Sequence, residues 1–98
     1  MLHIINKSSL ERGSLDSCLE LIGTGTLLLI EDAVYAATRG HASSGKLSEI
    51  AAKRNIFVLV PDCEARGVAD RLIEGVKAVD YGGFVDLVAE NPNCHSWL

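Results

Sequence analysis

Four short apolar runs, Leu2–Ile5, Leu27–Ile30, Ile56–Val60 and Val76–Val79, punctuate the chain, and the stretches between them carry helical spacing. Runs this short match strands. Their near-continuous apolarity matches strands covered on both faces, as in a parallel sheet flanked by helices. Strands that alternate with helices fold as right-handed β-α-β crossovers. The order β-α-β-α-β-α-β-α therefore predicts an α/β fold built on a mainly parallel sheet.

Local signals sharpen the helices. Gly13-Ser14 offers a start, and Leu15, Cys18, Leu19 and Ile22 recur at the i, i+3, i+4, i+7 spacing of one helix face. Asp16 in that first turn complements the helix dipole, and Gly23 suits a left-handed stop. Asp32 is placed to cap a short helical stretch through Val34, Tyr35 and Ala37. Gly40–Gly45 reads as a loop, followed by a helix over Lys46–Arg54 with Leu47, Ile50 and Ala51 inward. Pro61 ends the third strand, because it cannot continue a ladder, and Asp62–Ile73 reads as a helix broken near Gly67. Asp80 is placed to cap a last helix with Phe84, Leu87 and Val88 on one face. Pro92 closes that helix and leaves Cys94 in a tail.

The 98 residues fit one domain over 1–98, with no internal repeat, low-complexity tract or linker. A chain of this size buries about 60–65% of the surface its unfolded form exposes, so its core is modest. Hydrophobic residues make up 48% of it, and part of that surface either faces a partner or packs inside. The balance of 9 Lys+Arg against 13 Asp+Glu lacks the clustered cations that neutralise phosphates. Lys46, Lys53 and Arg54 are the one basic grouping, and a solvated helix end explains them. Direct nucleic-acid binding is therefore not expected. No secretory signal opens the chain, and its longest apolar run, Leu27–Ile30, is far short of the ~20 residues of a membrane helix. A cytoplasmic protein off the membrane is expected, and three cysteines without CxxC spacing fit free thiols in a reducing compartment.

Few residues carry chemistry. Gly23-Thr24-Gly25-Thr26 precedes a strand, whereas phosphate-binding glycines follow a strand and open a helix, so it reads as a tight turn. There is no HExxH or G-x-S-x-G, and His3, His41 and His95 lie far apart, so neither metal nor cofactor is expected. The candidate nucleophiles are Cys18, Cys63 and Cys94, and a reactive thiol needs a depressed pKa and partial exposure. Cys18 shares an apolar stripe, where a buried structural cysteine is the commoner occupant. Cys63 follows a strand, at the carboxyl edge where open α/β sheets place their sites. Asp62 and Glu64 there raise a thiol pKa, and Arg66 only partly offsets them. Cys94 beside His95 reads as an incidental exposed thiol. Asp32 next to Glu31 invites an acid–base role, which helix capping explains more simply. Trp97, the only Trp, either tucks against the domain or anchors a partner.

Leu2-His3 with Lys7-Ser8, Leu15 with Cys18-Leu19, Leu28-Leu29, Glu31-Asp32 and Val34-Tyr35-Ala36-Ala37 begin an ordered set of residues. The set continues through Asp62, Ala65-Arg66-Gly67, Asp80-Tyr81, Phe84-Val85-Asp86-Leu87 and Ser96-Trp97-Leu98. No one piece is specific, but at these spacings the set resembles the TusB/DsrH family of small sulfur-relay subunits over essentially the whole chain. The resemblance implies a three-layer α/β/α sandwich of DsrEFH-like form. It also implies a heterohexamer with paired copies of this chain and of two paralogous siblings, TusC/TusD-like or DsrE/DsrF-like.

In TusBCD such an assembly passes persulfide sulfur to a downstream acceptor protein, toward 2-thiouridine at the tRNA wobble position. In DsrEFH it serves cytoplasmic sulfur oxidation. In both, the principal sulfur-carrying cysteine belongs to a sibling, and this kind of subunit is largely architectural. Cys18 matches a first-helix cysteine of the DsrH branch that many TusB members lack, which implies an auxiliary persulfide carrier. Cys63 and Cys94 match no family cysteine, and Ser9 stands where the family often has Pro. The expected role is an accessory, non-catalytic subunit of a complex for tRNA thiolation. The alternatives are a DsrH-type subunit in sulfur oxidation with Cys18 as carrier, and a stand-alone flavodoxin-like binding module.

Overall fold

The computed structural model describes residues 2–6, 25–41 and 44–97. Its strands are β1 (Leu2–Ile5), β2 (Thr26–Leu29), β3 (Ile56–Leu59), β4 (Lys77–Val79) and β5 (Cys94–Trp97). They form one sheet in the order β4-β3-β2-β1-β5, with every neighbouring pair parallel. Between them lie a 3₁₀ helix (Glu31–Ala37) and three α-helices: α1 (Ser44–Ala51), α2 (Val60–Ala65) and α3 (Tyr81–Glu90). The order steps from β1 to β4 in one direction, and the chain then returns past β1 to lay down β5. The topological switch therefore falls between β1 and β5.

Strand alternation sorts the apolar residues into two cores. Ile5, Leu27, Leu29, Ile56 and Val58 pack on one side against Ala33, Val34, Ala36 and Ala37 of the 3₁₀ helix, Leu47 of α1 and Cys63 of α2. Leu2, Ile4 and Leu28 pack on the other against Leu87 of α3, joined by Phe57, Val79 and Phe84. Helices on both faces of a parallel sheet make the expected three-layer α/β/α sandwich. Fully burying each large aliphatic side chain contributes about 1.5–3 kcal/mol. The central strand β2 supplies three in a row, Leu27, Leu28 and Leu29, each at 0% exposure.

The structure corrects several expectations from the sequence. Cys94 begins a strand rather than a tail: β5 runs parallel to β1 with Leu2 opposite Cys94 and Ile5 opposite Trp97. Helix α1 starts at Ser44 and ends at Ala51, short of Arg54, because the N–H groups of Lys53 and Arg54 both converge on the Ile50 carbonyl. Pro61 does more than stop β3. It stands in the first turn of α2, where a missing N–H leaves nothing unsatisfied. The helix expected over Asp62–Ile73 is confined to Val60–Ala65: Arg66 leaves helical geometry and Gly67 takes φ 67°. The chain then turns back so that Leu72 bridges Thr38. The helix expected over Leu15–Ile22 lies outside the described residues.

Helix α3 begins as expected. Asp80 Oδ1 accepts the Gly83 N–H at 2.8 Å, an N-cap bond. A Cβ on Gly83 would meet Val79 Cβ at 2.9 Å, so glycine is what lets the first turn of α3 settle on the end of β4. Phe84 and Leu87 turn toward the sheet, but Val88, expected beside them, is 40% exposed.

Candidate functional site

Open parallel sheets place their sites at the carboxyl ends of the strands, where loops leave for the helices. In this chain the ends of β2 and β3 bring together Glu31, Asp32, Asp62, Cys63 and Arg66. Glu31 directly follows Ile30, whose N–H donates to the Ile5 carbonyl at 2.9 Å and ties the exit of β2 to β1. It then takes φ 50°, the left-handed region that a side chain enters only at a cost of about 1–2 kcal/mol. Across the gap, Asp62 Oδ2 accepts the Glu31 N–H at 2.6 Å. An ionised carboxylate at the free N–H end of a helical turn is the arrangement by which such ends bind anions. Here the chain's own carboxylate fills the position.

A second link closes the same gap. Arg66 Nε donates to Asp32 Oδ1 at 2.9 Å, and Arg66 Nη1 donates to the Asp62 carbonyl at 3.3 Å. Nη1 also lies 3.9 Å from Asp62 Oδ1. The bond to Asp32 holds the Arg66 guanidinium above its ordinary pKa, outweighing burial, which acts the other way; the charges of Asp32, Asp62 and Tyr35 add to the rise. This corrects the expected role of Asp32. The 3₁₀ helix has Ile30 at its N-cap with no side-chain capping bond, and Asp32 inside the first turn spends its carboxylate on Arg66. Asp32 is therefore a cross-link between two elements, and nothing pairs it with Glu31 as acid and base.

The thiols fall apart spatially. Cys63 is 1% exposed and packs in the core under the 3₁₀ helix. Burial pushes its pKa up, Asp62 and Glu64 push it further, and Arg66 opposes them without prevailing. It has neither the access nor the thiolate that a nucleophile needs. Cys94 is exposed at the start of β5, opposite Leu2. In a parallel sheet that is the amino edge, away from the Asp62–Arg66 cluster. Cys18 lies outside the described residues. Among the described residues no His, Cys, Asp and Glu side chains gather as a metal site. The Glu31–Asp62 bond spans 31 positions and the Asp32–Arg66 bond 34. Neither has a local sequence signal; Glu31, Asp32 and Asp62 sit just beyond strand ends, whereas Arg66 caps the helix that follows β3.

A family model described as "DsrH like protein" matches residues 7–94. The chain belongs to the TusB/DsrH family. Among relatives of that family, "Protein TusB" of Pectobacterium parmentieri is 36% identical over 98 residues, covering 99% of this chain and 100% of the relative. "Protein TusB" of Erwinia tasmaniensis is 35% identical with the same coverage. Among solved structures, the crystal structure of the ychN protein from E. coli superposes with a TM-score of 0.75, covering 97% of each chain at 18% identity. At that identity the likeness speaks for the fold. No helix among the described residues is long and apolar enough to cross a membrane.

Proposed function

We propose that this chain is an accessory subunit of a cytoplasmic, heterohexameric sulfur-relay complex that passes persulfide sulfur toward 2-thiouridine at the tRNA wobble position. The observation that carries it is the match to proteins named TusB, which covers 99% of this chain and 100% of each relative. The chemistry of the described residues supports a structural part rather than a catalytic one. The anion position at the carboxyl edge is filled from within, Cys63 is buried and held protonated, and Cys94 lies on the opposite edge. The siblings supply the principal sulfur-carrying thiol, and a downstream acceptor protein, rather than this chain, delivers sulfur to RNA. The net charge of −4 agrees with a chain that does not itself hold RNA.

A second reading is favoured by the family description itself, which names DsrH. In it the subunit serves sulfur oxidation and Cys18 is an auxiliary carrier. The Cys18 thiolate attacks the outer sulfur of a donor persulfide, the donor's S–S bond breaks, and the donor leaves as a thiolate. Cys18 then holds the sulfur as a persulfide with no net oxidation. Co-expression with the two sibling subunits, followed by native mass spectrometry, tests the first reading. A hexamer with paired copies of each chain is expected, and a free chain or a homodimer that ignores both siblings would overturn it. Cys18→Ser is expected to leave the hexamer intact. Gain of one sulfur atom on Cys18, absent in the serine variant, distinguishes the carrier reading.

A further inference from the structure

The end of the 3₁₀ helix sets two arginines against each other. Thr38 and Leu72 pair as an antiparallel bridge, in which the Ile73 N–H donates to the Ala37 carbonyl at 2.8 Å and the Arg39 N–H to the Arg71 carbonyl at 2.7 Å. That register puts Arg39 opposite Arg71, with α-carbons about 4.5–5.5 Å apart. Both residues are exposed, and like charges directly opposite each other are destabilising. Arg66, by comparison, is neutralised by Asp32 and Asp62. Among the described residues neither Arg39 nor Arg71 meets a carboxylate. Each is held instead by a backbone carbonyl of one turn: Arg39 Nη2 donates to the Asp70 carbonyl at 3.0 Å and Arg71 Nη2 to the Gly67 carbonyl at 3.3 Å. The Arg71 N–H closes that turn on the Val68 carbonyl at 3.0 Å. The two guanidinium groups are thus tied to one turn and short of counter-charge.

We infer that Arg39 and Arg71 form a docking fork for an acidic side chain, Asp or Glu, presented by a sibling subunit; the choice of partner rests on the sulfur-relay reading. Charge and geometry select that occupant. A guanidinium carries five N–H donors, and the carbonyl bonds leave most of them facing outward. A carboxylate has two oxygens and room for about four such bonds, so one carboxylate can bridge both arginines and cancel their opposition. Because the turn already holds both side chains, docking orders them at little further cost. Arginine is also among the residues that carry most of the energy of protein interfaces. RNA suits the pair less well. A phosphate backbone wants a track of cations, whereas exposed Asp70 precedes Arg71 and the chain's net charge is −4. A second copy placed across a two-fold axis on the fork would set arginine against arginine.

The test uses the full chain co-expressed with both siblings, comparing wild type with Arg39→Glu/Arg71→Glu and with Arg39→Lys/Arg71→Lys. The charge-reversed pair should keep the wild-type circular dichroism and weaken assembly at least about ten-fold at low salt, the difference shrinking at high salt as screening sets in. The lysine pair keeps the charge but not the planar fork, and should fall between the two. In the free chain Arg71→Gln relieves the opposition, so its urea midpoint should equal or exceed that of wild type. A clear drop would make the pair a structural feature and overturn the inference. If wild type and the charge-reversed pair assemble equally, the fork is wrong and the sulfur-relay reading stands. If the wild-type chain stays free of both siblings, that reading falls and the docking inference with it. Binding of tRNA, or self-association of the chain alone, that the charge-reversed pair abolishes would overturn the choice of occupant.

Discussion

Asp62 is the residue whose removal most directly tests how the carboxyl edge is built. Its carboxylate accepts the Glu31 N–H at 2.6 Å, a charge-assisted bond at the exposed strand edge, while the Asp62 side chain itself is 19% exposed. Hydrogen bonds to charged groups contribute about 1.5–3 kcal/mol. The looser approach of Arg66 Nη1 at 3.9 Å adds little, in the range of ~0–1 kcal/mol for solvent-facing pairs. Asp62→Ala is therefore expected to cost about 2 kcal/mol. In a domain near this size that lowers the melting temperature by about 8–16 °C. Asp62→Asn keeps an acceptor without the charge and should lose about half as much. Glu31→Gly tests the other side of the bond. Glycine removes about 1–2 kcal/mol of left-handed strain and gives back about 0.5–1 kcal/mol in unfolded-chain entropy, so the single variant should be neutral or slightly stabilised. With the turn no longer forced, Asp62→Ala in the Glu31→Gly background should cost about 1 kcal/mol less than it does alone. Urea denaturation with an unchanged m-value is the assay. A loss below about 0.5 kcal/mol for Asp62→Ala, or a loss above about 1 kcal/mol for Glu31→Gly, would refute the account.

Three further outcomes are expected. At pH 8 iodoacetamide should alkylate exposed Cys94 in the folded chain and reach Cys63 only in urea, with peptide mass mapping as the readout; rapid native labelling of Cys63 would contradict its burial. Because the fold raises the Cys63 pKa, the stability gained by keeping that thiol protonated is complete below the ordinary thiol value of about 8.5 and is lost as pH rises through the folded value; Cys63→Ala should remove that part of the alkaline decline. Gly83→Ala should destabilise by about 1 kcal/mol, since its Cβ would meet Val79 Cβ at 2.9 Å and overpacking outweighs the helix propensity gained, whereas Gly45→Ala in α1, with open space around it, should stabilise by about 0.5 kcal/mol; equal shifts in urea midpoint for the two would show that the contact is unimportant.

The parts of the fold legible in the sequence are those that burial dictates. Leu27-Leu28-Leu29 reads as a strand covered on both faces, and that is where β2 lies. Asp80 was legible as a cap because capping is local, a matter of one oxygen and an N–H three residues on. The fifth strand was illegible for the opposite reason. Cys94-His95-Ser96-Trp97 has no apolar period, and backbone pairing with β1 defines it, a relation between the two ends of the chain. The Val88 error has a related cause. Helical spacing groups Val88 with Leu87 and Phe84, but spacing cannot say how much of an apolar arc the sheet will cover. At the carboxyl edge, the acids around Cys63 and their effect on its pKa could be read from adjacent positions. The pairing of Asp62 with Glu31 and of Arg66 with Asp32 could not, because each joins separate crossovers.

That long-range pairing bears on what the carboxyl edge can do. A free N–H at the start of a helical turn, facing an arginine at a strand end, would suit an anionic ligand. Asp62 supplies the anion and Asp32 neutralises the arginine, so between β2 and β3 the polar groups answer one another within the chain. Binding an outside anion there would mean displacing a carboxylate that also holds Glu31 at φ 50°. The competitor would have to repay both the bond and the turn it maintains. The stripe on α3 is the reverse case: Tyr81, Val85 and Val88 stand exposed. Asp62→Ala and Val85→Arg are therefore separable perturbations. The first should lower stability by the loss of a hydrogen bond; the second, at an exposed side chain, should leave stability within about 0.5 kcal/mol of wild type. Equal losses of stability from the two variants, read by urea denaturation, would mean that Val85 carries packing its exposure does not suggest.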